Sequence, residues 1–287
     1  MQSAGLSSVR EQTEEQRLAN ESAVPYFDAF AQHRERLTAA VIARHVPGAS
    51  ERLCVLGAGN AYDLDLARLA TVFREVHLVD IDETALTRAY ARQDPATQAR
   101  LFLHPSIDLS GMFDRIEAWR DFRVTPEELA AYPEAASARI VGCLPAPFDV
   151  VVSACILTQL QLSVLSLLSA SHGLFEALRQ LLNVMHLRTV AKLLVPSGRG
   201  LLASDVTSNL LFPLSLGATD LPGVLADVLS AGKFFYAAHP DLLQWASRED
   251  PVLRRIAELS SPVDVWLWQN GAERTYLVYA LELQRIA

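Results

Sequence analysis

Three cysteines in 287 residues, Cys54, Cys143 and Cys155, are too few and too scattered for a Cys-x-x-Cys metal site or a disulfide framework. They fit a reducing compartment, so no metal and a cytoplasmic location are expected. Lys and Arg nowhere form a run, and the formal net charge is −8. A phosphate backbone therefore meets no matching field, and nucleic acid is not an expected partner. The opening MQSAGLSSVREQTEEQ lacks the apolar core of a signal peptide. The long charge-free stretch, Val150 to Phe175, is interrupted by Ser153, Thr158, Gln159, Gln161 and His172. It is too polar for a spanning helix and reads as a buried strand running into a buried helix, with no membrane partner.

What the chain does have is apolar material, 51% hydrophobic residues, enough for the core of one large α/β unit. Arg52 to Leu66, RLCVLGAGNAYDLDL, gives its plan. Leu53 to Leu56 form a short apolar strand, Gly57 and Gly59 turn the chain, and Asp63, Leu64, Leu66 and Leu69 begin an amphipathic helix. Glycine here lets a ligand lie against the main chain, beside amides at a helix start. The next apolar strand, VHLV, ends at Asp80, about 20 residues beyond the glycines, where a βαβ unit offers a carboxylate to ribose hydroxyls. Asp82 is placed to cap the following helix instead. An adenosine-bearing ligand is implied. The dinucleotide pattern G-x-G-x-x-G is broken, because Tyr62 stands where its last glycine or alanine belongs and would hinder a pyrophosphate.

The glycine turn and the VHLVDID segment resemble the cofactor-binding motifs of the class I S-adenosylmethionine-dependent methyltransferases. The resemblance implies a doubly wound α/β fold with a mostly parallel seven-stranded sheet, a C-terminal antiparallel hairpin and a helical N-terminal cap over residues 1–50, with the catalytic domain over 51–287. Two positions depart from the family's pattern: Val55 replaces an acid two places before the first glycine, and Ala61 replaces the third glycine. Asn60 and Asp63 are polar groups near enough to substitute for that acid. The cofactor contacts it implies are Gly57, Ala58, Gly59, Asn60, Asp63, Asp80 and Ile81. Ile107 and Asp108 follow the third strand, Arg100 to His104, where an apolar and acidic pair flanks adenine; Asp108 also suits a simple turn.

Thr125-Pro126-Glu127-Glu128 has the form of a capping box and starts an extra helix. FDVVVS, Phe148 to Ser153, is the fourth strand, and its end brings Ser153, Ala154, Cys155, Thr158 and Gln159 toward the ligand edge. Cys155 equally suits a small core position. The Asn/Asp-Pro-Pro-Tyr/Phe sequence common in methyltransferases acting on base amines is absent here. Leu160 to Leu194 reads as helix, broken near Ser171-His172-Gly173, before a strand over Leu201 to Asp205. Leu221 to Ser260 reads as helical. Val263 to Trp268 and Arg274 to Leu281 read as strands joined by the Asn270-Gly271 turn.

The mobile, polar first 20 or so residues lead to a helix opened by Pro25, with Tyr26, Phe30, Leu37 and Val41 on one stripe. In the resembling family such a helix closes over the cofactor, which would bring Tyr26 or His33 to the reacting methyl group. Substrate-side residues on this plan are Tyr26, Cys155, Gln159, His172 and Asp205; Tyr26 and Asp205 are the catalytic candidates, with His33 and His172 as further possible bases. The expected activity is methyl transfer from S-adenosylmethionine to a small molecule, on N or O. Val55 and Ala61 keep open an aminopropyl-type transferase or a cofactor-binding protein without turnover. An NAD(P)- or FAD-dependent oxidoreductase is the remaining alternative.

Overall fold

The computed structural model describes residues 3–46, 48, 51–113, 115, 119, 121, 123–167, 172–235, 239–271 and 273–286; the side chains of 3–12 and 164–167 are left aside. Ser171, part of the expected helix break, and Ala272, next to the expected Asn270-Gly271 turn, lie outside this set. The chain opens with helix α1, Ser3–Ala23, a 3-10 segment, Val24–Phe30, and α2, Ala31–Ile42. This corrects two expectations. Ser3–Ala23 is helical, with Arg17 tied to Glu14 and Glu21 at one-turn spacing. The helix opened by Pro25 is kinked at Tyr26 (φ −109°, ψ 16°) before α2 begins.

The βαβ core follows as β1 (Arg52–Leu56), α3 (Leu66–Val72), β2 (Glu75–Val79), α4 (Glu83–Ala91), α5 (Pro95–Gln98) and β3 (Leu101–His104). α3 starts later than the sequence suggests, because Asp65 caps it by accepting from the Arg68 amide; Asp63 thus stays in the turn. Asp82 caps α4, accepting from the amides of Thr84 and Ala85. The capping box at Thr125 is formed and starts α6, Pro126–Gly142. Then come β4 (Phe148–Ala154), α7 (Ile156–Leu167), α8 (Phe175–Leu193) and β5 (Leu194–Ser208). The end of the chain comprises α9 (Leu221–Ser230), α10 (Pro240–Glu249), α11 (Leu253–Ile256), β6 (Ala257–Leu259), β7 (Asp264–Gln269) and β8 (Thr275–Arg285).

Strands run in the order β3-β2-β1-β4-β5-β8, the first five parallel and β8 antiparallel beside β5. The seventh place is shared: β7 pairs with Thr275 to Ala280 of β8, and β6 pairs with Leu283 to Arg285 farther along. Among the described residues eight strands therefore occupy the seven places expected, with the last strand inserted beside the fifth. β6 corrects the helical reading of Leu221 to Ser260; the edge of the long β8 beyond β7 would otherwise be unpaired.

Leu53–Leu56 of β1 and Val150–Val152 of β4, at the centre of the sheet, are unbroken apolar runs because both faces are covered. Cys54, Leu56 and Val151 face one cluster with α6, α8 and α10, while Leu53, Val55, Val150 and Val152 face the other with α2 and α3. Among the described residues no helix is long and apolar enough to cross a membrane, and no group of His, Cys, Asp and Glu could hold a metal.

Candidate functional site

Parallel strands end on a common edge, and the order reverses between β1 and β4, which opens a crevice there. Two adjoining cavities fill it. The first, of about 40 Å³, is lined mainly by Ile81, Ile107, Leu109, Phe113, Ile156 and Leu160, with Asp108 at its wall. The second, about 150 Å³, follows the glycine turn from Gly57 to Asp63 and is closed by Phe30, Ala154, Trp268 and Asn270. Gln16, Asp80 and Gln159 line both. Together the cavities hold on the order of a dozen waters, which suits a nucleoside bearing a short polar chain.

The turn requires glycine here because Gly57 has φ +74° and a Cβ there would lie 2.6 Å from Cβ of Ile156, a residue of the first cavity's wall. Ala61, in the place of the family's third glycine, still takes φ +50°, a conformation that costs a side-chain-bearing residue about 1 kcal/mol. The amides are less available than the sequence implies: those of Gly57 and Ala58 donate to Val79 O, and that of Ala61 to Ala58 O. Gly59 N donates to Asp80 Oδ2 (2.8 Å) and Asp82 N to Asp80 Oδ1 (2.9 Å), so Asp80 is held rigidly at the seam of the cavities. Burial raises its pKa to about 6, against the opposing pull of those two amides.

Several sequence-predicted residues are committed elsewhere. Asn60 accepts from Arg88 and donates to Asn20 O, locking α1 over the turn. Asp108 lines the first cavity but accepts from Ser110 and Phe113, the turn role weighed against adenine contact. Ser153 is fully buried and bonds His186 Nε2 (2.8 Å), whose pKa burial lowers to about 4. Neither Ser153 nor Cys155 lines the two cavities. Cys155 is a buried residue with φ +51°, and burial drives its thiol pKa well up. His172 accepts from the Leu174 amide, away from the crevice lining. Tyr26 is 44% exposed and stands against Gly271 of the hairpin tip, because the kink turns it off the α2 stripe.

Asp205 is buried on β5, opposite Val278, outside both linings. Burial pushes its pKa to about 7, with the charge of Asp63 adding and the Thr158 hydroxyl opposing. His33 is wholly buried, stacked on Trp268 with ring centroids 4.6 Å apart. The lining residues that sequence reasoning missed come from α1 (Gln16, Asn20), the 3-10 segment (Phe30) and the hairpin (Trp268, Asn270). The turn signal at Asn270 was visible, but its meeting with the glycine turn was not. Tyr62 is packed edge-on against Phe27 and Phe30 with Arg92 over its ring, which seals the path a pyrophosphate would take.

No family profile and no curated protein matches this sequence. Solved structures match in overall shape. The YcgJ protein of Bacillus subtilis is 10% identical, with a TM-score of 0.48 over 88% of this chain and 99% of its own. The N-methyltransferase NodS of Bradyrhizobium japonicum is 13% identical, TM-score 0.44, over 89% and 98%. The magnesium protoporphyrin IX methyltransferase of Synechocystis, with S-adenosylhomocysteine bound, is 13% identical, TM-score 0.45, over 90% and 86%.

Proposed function

We propose that this chain is an S-adenosylmethionine-dependent methyltransferase of the class I type acting on a small molecule. The observation that carries the reading is the two-part crevice joined at Asp80: an apolar slot for a base, a carboxylate for ribose hydroxyls, and a polar chamber along the glycine turn. The residues fit such a ligand. Asp63 lines the second chamber, and its Oδ1 is a buried carboxylate oxygen without a hydrogen-bond partner.

On this reading Ile81, Ile107 and Leu109 hold the adenine, Asp80 the ribose, and Gly57 to Asp63 the amino-acid end. When bound, S-adenosylmethionine supplies a methyl carbon already activated by a sulfonium. The chain's part is then mainly positioning, which can contribute several powers of ten. Phe30, Ala154 and Trp268 exclude water around the chamber, and Gln159, shared by both cavities, contacts the acceptor. Asp205, buried outside both linings, does not reach the acceptor and is given no proton-transfer part. Tyr26, facing solvent, is given no catalytic part.

Titration calorimetry with S-adenosylmethionine, S-adenosylhomocysteine, NAD and FAD tests the cofactor, followed by transfer of labelled methyl to a panel of small hydroxyl and amine acceptors. Binding of the first two alone is expected. Binding of NAD or FAD in their place would overturn the reading.

A further inference from the structure

Val55, at the family's acidic position, is fully buried in the apolar cluster, so the second chamber draws its negative charge from Asp63 and Asp80. Asp80 is already held by two amides. Asp63 differs. Its side chain is 20% exposed, and Oδ1 is the buried oxygen, turned toward His33 Nε2 at 3.4 Å. The other end of that ring is fixed: Trp266 Nε1 lies 2.8 Å from His33 Nδ1. An indole N–H only donates, so Nδ1 must be the acceptor and the imidazole carries its proton on Nε2, facing Asp63. Neither residue needs this arrangement to pack, since His33 is already stacked on Trp268 and Trp266 is buried in β7. A tryptophan on the hairpin, a histidine on α2 and an aspartate in the glycine turn thus form one line that ends at the chamber.

We propose that Trp266 and His33 are positioning residues that aim Asp63 at the ammonium group of the ligand's amino-acid end, replacing the acid that Val55 displaces. The inference rests on the S-adenosylmethionine reading and specifies how the polar end is recognised. His33 Nε2 and Asp63 Oδ1 face each other at 3.4 Å, each without a hydrogen-bond partner, so a small turn of the carboxylate on ligand binding pairs them and leaves Oδ2 to the ligand. The chain recognises the amino-acid end through elements far apart in sequence, and a ligand lacking that end gains nothing from them.

The test is calorimetry on the full chain with S-adenosylhomocysteine and with 5′-methylthioadenosine, which keeps the adenosine and thioether but has no amino-acid end. The wild type is expected to favour S-adenosylhomocysteine. Asp63→Asn should weaken that ligand on the order of ten- to a hundredfold, the loss of a charge-assisted hydrogen bond, while 5′-methylthioadenosine stays within about twofold. His33→Asn, which has no donor at the Nε2 position, should weaken S-adenosylhomocysteine selectively by roughly threefold or more. His33→Gln, which can place one there, should restore it. Equal loss of both ligands in Asp63→Asn, no loss in either, or wild-type selectivity in His33→Asn would overturn the inference. So would a wild type that binds the two ligands equally, though the adenosyl reading would survive. A wild type that binds neither ligand removes both.

Discussion

Asp205→Asn should make the protein more stable at alkaline pH. The carboxyl ionises near 7 in the folded chain and near 3.8 when unfolded, because burial penalises its charge. Below 3.8 both states hold the proton and the residue is neutral to stability. Between the two values the folded state binds the extra proton, so stability falls as pH rises; above 7 the loss is complete. At about 1.36 kcal/mol per pH unit, the span amounts to roughly 4 kcal/mol. Asparagine keeps the shape and cannot ionise, so it escapes this loss while leaving the Thr158 contact to the residue's backbone oxygen (3.3 Å) in place. Urea unfolding at pH 4.5 and 8 measures it. The variant should match the wild type within about 1 kcal/mol at the lower pH and exceed it by about 2–4 kcal/mol at the higher. Asp80 titrates with the same sign in both proteins and cancels in the difference. A gap between the two proteins that does not widen with pH would refute the burial argument.

Asp80→Ala should weaken S-adenosylhomocysteine by about 1.5–3 kcal/mol, and wild-type affinity should rise with pH through about 6 as the carboxyl ionises; calorimetry from pH 5 to 8 checks both. Gly57→Ala should abolish ligand binding and lower stability by at least about 1–3 kcal/mol, since its Cβ would meet Ile156 at 2.6 Å and its backbone is left-handed; thermal melts and calorimetry together decide it. Asp250→Ala should destabilise by about 3–5 kcal/mol in urea without touching the crevice. It removes the bidentate carboxylate from buried Arg188, leaving that guanidinium only Glu134 (3.1 Å), and uncaps the amides of Val252 and Leu253.

The helix caps at Asp82 and Thr125 were legible because each depends on residues within four places of one another. Helix α1 was not, since its polar sequence shows no apolar stripe. Its hold on the rest of the chain comes from Asn20, which donates to Asp82 and accepts, through its backbone oxygen, from Asn60. The kink at Tyr26 likewise follows from Phe27 and Phe30 packing on Tyr62, a contact no local pattern announces.

By itself the sequence determined the strand, glycine turn and second strand ending in Asp80, and the antiparallel pair at the chain's end, because alternation, turn chemistry and spacing are local properties. It also offered Asn60 and Asp63 alike as substitutes for the acid missing at Val55. Only the tertiary structure decided which polar groups face the crevice. Ser153 went to His186 and Asn60 to Arg88, while Asp63 acquired His33 and Trp266 behind it, residues 30 and 203 places away that β8, by pairing between β5 and β7, brings to the same edge. A buried polar group takes whichever partner the packed elements deliver, and that depends on the sheet order rather than on its neighbours in the chain.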